Sequence, residues 1–157
     1  MRMTFRVSAQ QRLIVVSEAV AQMSAFAQRS RWQAEAGGVL LGRHLLDSED
    51  LVVDEVTVPQ PADRRTRFSF FRSGEHQAVA RRRWESERFT LAYLGLWHTH
   101  PEAVPSPSET DMQDWARAVE LDSFEGERLF FPIAGTKEIR MWSMSRTGRI
   151  EELGREN

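Results

Sequence analysis

Between His98 and Asp111 the chain reads His-Thr-His-Pro-Glu-Ala-Val-Pro-Ser-Pro-Ser-Glu-Thr-Asp, and this segment leaves the fold few choices. Leu91 to His98 reads as a strand, Pro101, Pro105 and Pro107 force an extended loop, and Ser108 to Leu121 has helical spacing through Met112, Trp115 and Val119. A strand therefore hands over to a helix across a stretched connection. Side chains alternate along a strand, so His98 and His100 point both imidazoles to the same face. Asp111, near the start of the helix, can add a carboxylate. Two nitrogens and an oxygen with a fourth position open make the donor set of a catalytic zinc, since a structural zinc is normally closed by four ligands.

The remainder of the chain has to supply a core, and 157 residues suffice for one ordinary domain, expected to span 1–157, without disulfides. The absence of cysteine excludes disulfides, thiolate-bound zinc and cysteine nucleophiles. Met1 to Ser8 carries charge with no apolar region behind it, and no stretch approaches the roughly 18 apolar residues of a membrane span. The expectation is a protein of the bacterial cytoplasm that engages no membrane. A formal net charge of -2 gives no support to nucleic-acid binding, although Arg64 to Arg88 holds eight arginines against three glutamates. That stretch reads as a solvated helix face in preference to a docking surface.

Along the chain, Ser8 to about Arg29 reads as an amphipathic helix with Ser8 as N-cap, Gln11 as its capping-box partner, and Leu13, Val16, Val20, Met23 and Ala27 on one face. Gly38 to Leu46 and Leu51 to Val58 suggest a hairpin turned by Asp47-Ser48-Glu49-Asp50. Thr66 to Phe71 reads as a short strand, and Ser73 to Arg88 as a helix turning Val79, Ala80 and Trp84 inward. Arg128 to Ala134 and Glu138 to Met144 complete a sheet. Trp84, Trp97, Trp115 and Trp142 are expected in the core; Glu102 and Glu109 as solvated loop charges; His44 and His76 as ordinary histidines. The fold class is α/β, a mixed β-sheet flanked by helices.

Amide hydrolysis at a metal also needs a group that takes a proton from water and returns one to the departing amine. Glu35 is the candidate. It opens Glu35-Ala36-Gly37-Gly38-Val39-Leu40-Leu41-Gly42, where paired glycines allow close backbone approach and the following run forms a strand. With the downstream His-Thr-His, seven residues, Ser, two residues and Asp, this pattern resembles the JAB/MPN metalloproteases with an intact JAMM motif, and the order of elements fits that family across nearly the whole chain.

The resemblance implies a deaminase-like JAB/MPN domain in which His98, His100 and Asp111 bind Zn2+, Glu35 serves as general acid and base, and Ser108 donates to the oxygen where negative charge develops. Asp114, almost one turn after Asp111, is the decoy carboxylate. The plain structural reading of Ser108 with Asp111 is a helix capping box. The small size and the segment Arg67-Phe68-Ser69-Phe70-Phe71-Arg72 look most like the bacterial branch of deubiquitinase-like isopeptidases. For that branch the implied substrates are a ubiquitin-like modifier, or a cGAS-like nucleotidyltransferase, conjugated to target lysines by operon-encoded activating and conjugating enzymes in antiphage systems such as type II CBASS. Two alternatives stay open: trimming of a ubiquitin-like or sulfur-carrier precursor, and a non-catalytic scaffold.

Overall fold

A computed structural model describes all 157 residues. The elements in chain order are β1 (Met3–Arg6), β2 (Arg12–Val15), α1 (Ser17–Ala25), β3 (Gly37–His44), β4 (Leu51–Val56), β5 (Arg64–Thr66), β6 (Ser69–Phe71), α2 (Glu75–Ser86), β7 (Ala92–Thr99), α3 (Glu109–Leu121), β8 (Arg128–Ala134), β9 (Ile139–Ser145), β10 (Ile150–Leu153) and β11 (Arg155–Glu156). Nine strands form one sheet in the order β10-β9-β8-β7-β3-β4-β2-β1-β11, with β5 and β6 as a separate hairpin. The β2–β4 and β7–β8 pairs are parallel and the others antiparallel, so the sheet is mixed as expected. β10 and β11 are consecutive in the chain yet lie at opposite edges of the sheet, so the sheet curls until its two edges meet. Arg6 donates its backbone N–H to the Gly154 carbonyl at that seam. No helix is long and apolar enough to cross a membrane.

Two apolar clusters result. One packs β1, β2, β4 and parts of β3 and β7 against Ala19 and Met23 of α1. The other packs Val39, Leu41 and Leu96 against Trp115, Ala118 and Val119 of α3, with Phe131 and Trp142 behind. Trp115 stacks on Phe131 at 4.7 Å. A bulge in the β3–β7 pair lets the two faces share these strands: Leu40 pairs with Gly95 and Leu41 with Tyr93, so Leu94 slips to the α1 side while Leu96 stays on the α3 side. Gly95 sits there at φ 152°, and a Cβ would lie 1.8 Å from the Phe130 carbonyl oxygen, which only glycine avoids.

The expected helix from Ser8 to Arg29 is not formed over its first half. Ser8 and Gln11 close a turn between β1 and β2 through paired backbone bonds, Ser8 is no N-cap, and helix begins only at Ser17. The Leu13–Val16–Val20 spacing suits a helix, but Leu13 and Val15 are also a period-two pair, both buried in β2. Long-range pairing decides between the two periods. β2 aligns with β4 through Leu13–Leu51, Ile14–Val52 and Val15–Val53, and the Arg12 backbone N–H and guanidinium both bind the Asp50 carboxylate at 2.8 Å. Trp84 is a second correction. It is 41% exposed and packs on Phe89 at 4.4 Å, because α2 buries His76 at its start and leaves the arginine-rich remainder of the helix largely in solvent.

His76 is fully buried, against the ordinary histidine expected. Its Nδ1 lies 2.6 Å from the Thr57 hydroxyl and its Nε2 2.7 Å from Asp63 Oδ2, and Asp63 also accepts the backbone N–H groups of Gln60 and Ser73. This network ties the loop after β4 to the start of α2. Burial works against the Asp63 charge, yet the bonds from Gln60, His76 and Ser73 outweigh it and hold the carboxyl at about 2. A carboxyl whose folded value lies below its unfolded value near 4 stabilises the fold above pH 4 and loses that stabilisation as pH falls toward 2. Asp63→Asn is therefore expected to cost at most about 2 kcal/mol at pH 7, with the gap to wild type shrinking below pH 4. Urea unfolding at pH 7 and pH 2.5 measures it; a gap independent of pH contradicts it.

Candidate metal and catalytic site

The site forms where the ends of β3 and β7 meet the start of α3. Gly37 pairs with His98 in the β3–β7 register, which brings the residues just before β3 beside the histidine pair. The close approach depends on the paired glycines: a Cβ on Gly38 would sit 2.1 Å from the Thr57 carbonyl oxygen. At the other side, Ser108 caps α3. Its hydroxyl accepts from the Asp111 backbone N–H at 3.0 Å, and Asp111 Oδ2 accepts from the Ser108 backbone N–H at 2.9 Å, so the capping box fixes the carboxylate as it starts the helix.

His98 Nε2 lies 3.0 Å from His100 Nε2 and 3.2 Å from Asp111 Oδ1, and His100 Nε2 lies 3.0 Å from Asp111 Oδ2. The Asp111 carboxylate thus faces the two imidazole nitrogens with one oxygen each, and the three groups close a triangle whose contacts are 3.0–3.2 Å. An ion bound at zinc-to-nitrogen and zinc-to-oxygen distances of roughly 2.0–2.2 Å in tetrahedral geometry separates its ligand atoms by about 3.3 Å. The triangle has that size, and the nitrogen and oxygen donors suit zinc. Glu35 is 6% exposed, and its carboxylate shares a 4.8 Å cluster with the two imidazoles. Asp114 is not part of it; it turns toward Arg117 at 4.0 Å.

Electrostatics sort the roles. Burial pushes the Glu35 carboxyl up to about 7, with the Asp111 charge adding to the rise and His100 opposing it. A carboxyl near 7 takes and returns a proton with little cost at neutral pH. Burial also dominates at His98 and lowers its value, which favours the neutral ring. At His100 burial works the same way, but contact with Asp111 and then with Glu102 outweighs it and raises the value to about 9. Partial burial works against the Asp111 charge, yet its bonds from His100 and His98 hold it well below the usual carboxylate range.

Residues 16–145 match the family described as prokaryotic homologs of the JAB domain. The chain belongs to this JAB family. The matched stretch runs from α1 to β9 and contains every residue of the site. A protein of Escherichia coli strain TW11681 is 30% identical over 81% of this chain and 78% of its own length, and one of Vibrio cholerae O1 El Tor is 32% identical over 80% and 78%. A third, of Pseudomonas aeruginosa strain BWHPSA011, is 41% identical over 91 residues; there the chain spans only about half of the relative, 56% of its length. All three are named CD-NTase/cGAS isopeptidase. The solution structure of protein DSY2949 from Desulfitobacterium hafniense shares the fold, with a TM-score of 0.62 at 22% identity over 88% of this chain and 87% of that one.

The candidate site of this JAB domain is also supported by residues that spacing along the chain does not reveal. The Thr99 side chain, on the face opposite the two histidines, accepts from the Ala36 backbone N–H at 2.9 Å and donates to buried Gln28, fastening the segment that carries Glu35. Arg65 Nε donates to the Glu35 carbonyl at 2.9 Å, and the Glu35 N–H bonds the Thr66 carbonyl. The arginine-rich stretch is therefore not simply a solvated face: Arg65 holds Glu35, and Arg83 grips Glu55. Glu102 is not a bare loop charge either. Its Oε1 sits 2.8 Å from His100 Nδ1, which sets the ring so that Nε2 faces the donor triangle. Glu102→Ala is expected to weaken zinc binding by about 10–100-fold, the usual cost of removing a group that orients a metal-binding histidine. Competition against a zinc chelator dye measures this, and unchanged affinity contradicts it.

Proposed function

We propose that this chain is a zinc-dependent isopeptidase that releases a CD-NTase/cGAS-like protein from the lysines to which its C-terminus is conjugated, in antiphage defence. The observation that carries the reading is the donor triangle of His98, His100 and Asp111 with a buried, unpaired Glu35 carboxyl beside it. A structural metal site has no use for a proton-transfer group at an open position. The names of the E. coli and V. cholerae relatives support the substrate class.

His98, His100 and Asp111 would hold the ion, which when bound supplies a Lewis acid that polarises the scissile carbonyl and acidifies water. Glu35 accepts a proton from the attacking water and passes it to the lysine amine as the C–N bond breaks, so the acyl carbon gains the hydroxyl and the amine the hydrogen. The Ser108 hydroxyl accepts from Asp111, which leaves its own hydrogen free to donate to the developing oxyanion. His100, its Nδ1 facing Glu102, cannot swing away from the triangle. Operon-type activating and conjugating enzymes would form the bond that this protein cleaves, and a ubiquitin-like modifier is the other conjugate the site can take.

A cGAS-like nucleotidyltransferase joined by its C-terminus either to a lysine side chain or, linearly, to a fluorescent protein tests the reading. The lysine-linked form is expected to be cut with chelator-sensitive kinetics. Cutting of the linear form alone would establish a precursor-trimming peptidase in its place.

A further inference from the structure

A cavity of about 830 Å³ opens between α2, α3 and the end of β6. Its floor includes Val39 and Leu96, which pair with each other in the β3–β7 register two residues beyond the Gly37–His98 pair, so the cavity runs directly away from the catalytic site. Asp114, one turn after Asp111, lines its wall. The walls are mixed: Phe70, Tyr93, Ala118 and Leu121 give apolar patches between polar side chains such as Gln77 and Asp122.

Arg72 projects into this cleft from the end of β6. Its Nε is shut off from solvent and has no hydrogen-bond partner, and it forms none of the ion pairs that engage Arg83 nearby. A guanidinium carries five N–H donors, and shutting even this one off from water without an acceptor costs stability that a ligand oxygen would restore. The surrounding acids do not meet them: Asp122 takes the Tyr93 hydroxyl at 2.7 Å, Asp114 faces Arg117, and Asp63 is bound by His76, Gln60 and Ser73. These carboxylates also balance the cationic charge of the cleft, which therefore suits an uncharged ligand rich in acceptor oxygens over an anion.

We propose that Arg72 is a specificity residue that binds main-chain carbonyl oxygens of an extended, apolar C-terminal tail of the conjugated protein, threaded through this cleft toward the scissile bond. The inference rests on the isopeptidase reading for the direction of the tail. Carbonyl oxygens spaced along an extended segment can each take a different N–H of the guanidinium, the apolar part of the walls accepts small or aliphatic side chains, and Lys cannot reproduce the planar set of donors.

The test uses the zinc-loaded full chain, the lysine-linked nucleotidyltransferase conjugate and a fluorescent decapeptide of that protein's C-terminus. Arg72→Met is expected to raise KM and the peptide Kd by roughly ten- to a hundredfold with kcat within about twofold, and Arg72→Lys to restore only part of it. The loss should be equal for decapeptides with and without acidic side chains. If Arg72→Met folds normally and leaves both constants within twofold, the proposal is wrong; if the loss is confined to acidic peptides, Arg72 reads a side-chain carboxylate and the main-chain assignment falls. Should Arg72→Met fail to fold, Gln77→Trp, at an exposed position on the same cleft, decides: a raised KM and Kd support the proposal and unchanged constants overturn it. If wild type cleaves no conjugate, the isopeptidase reading fails separately, and peptide binding alone decides the role of Arg72, absence of wild-type binding overturning it.

Discussion

Glu35→Gln is expected to lower kcat by about three to four decades while zinc stays bound at one ion per chain. Glutamine keeps the size of the side chain and leaves untouched the backbone bonds from Arg65 and to Thr66 that position this residue. It cannot take a proton from water. The same change is expected to stabilise the metal-free fold at pH 8. A buried carboxyl whose folded value is raised to about 7 destabilises the fold once pH exceeds its unfolded value near 4.5, fully so above 7. The variant should therefore unfold at a higher temperature than wild type at pH 8 and at nearly the same temperature at pH 4. Substantial residual turnover, with zinc retained, would assign the proton transfer to another group.

Asp111→Ala is expected to abolish both zinc retention and activity. This carboxylate contacts both imidazoles and accepts the Ser108 backbone N–H, so its removal takes away a proposed ligand and half of the α3 capping box together. The affinity loss should exceed the 10–100-fold expected for Glu102→Ala, which orients a ligand without being one. Loss of the Asp111 half of the box adds a destabilisation smaller than the ~1 kcal/mol of a full N-cap replacement, because the Ser108 hydroxyl still caps the helix. Asp114→Ala is the contrasting control, because Asp114 lies outside the donor triangle. Zinc stoichiometry and thermal unfolding of the two variants separate a lost ligand from a lost cap, and retention of stoichiometric zinc by Asp111→Ala would remove it from the ligand set.

The legible part of this protein is the part written locally. His98 and His100 needed only strand alternation, and Asp111 only its place in the first turn of a helix, to be brought within 3.0–3.2 Å of one another. Glu35 lies 63 residues before His98, yet its paired glycines announced the close approach that the β3–β7 register provides. What stayed hidden depends on pairing across the sheet. Leu13 and Val16 fit two periods, and their partner β4 decides between them. The short strands β1 and β11 pair with each other through Thr4–Glu156 and Phe5–Arg155, and nothing in Met3–Arg6 or Arg155–Glu156 announces a partner at the other end of the chain. Thr99, Gln28 and Arg65 support the site through bonds over 30 to 71 residues of sequence. Trp84 looked like core by residue type and lies exposed because its helix has an arginine-rich face.

The most direct test of the central claim is intact-mass analysis of a defined lysine-linked nucleotidyltransferase conjugate after incubation with the zinc-loaded protein. Two products are expected, the nucleotidyltransferase with an unaltered C-terminal carboxylate and the target with a free lysine amine, their masses summing to the conjugate plus one water. An uncut conjugate in the presence of stoichiometric zinc, or a cut at any other peptide bond, would contradict it.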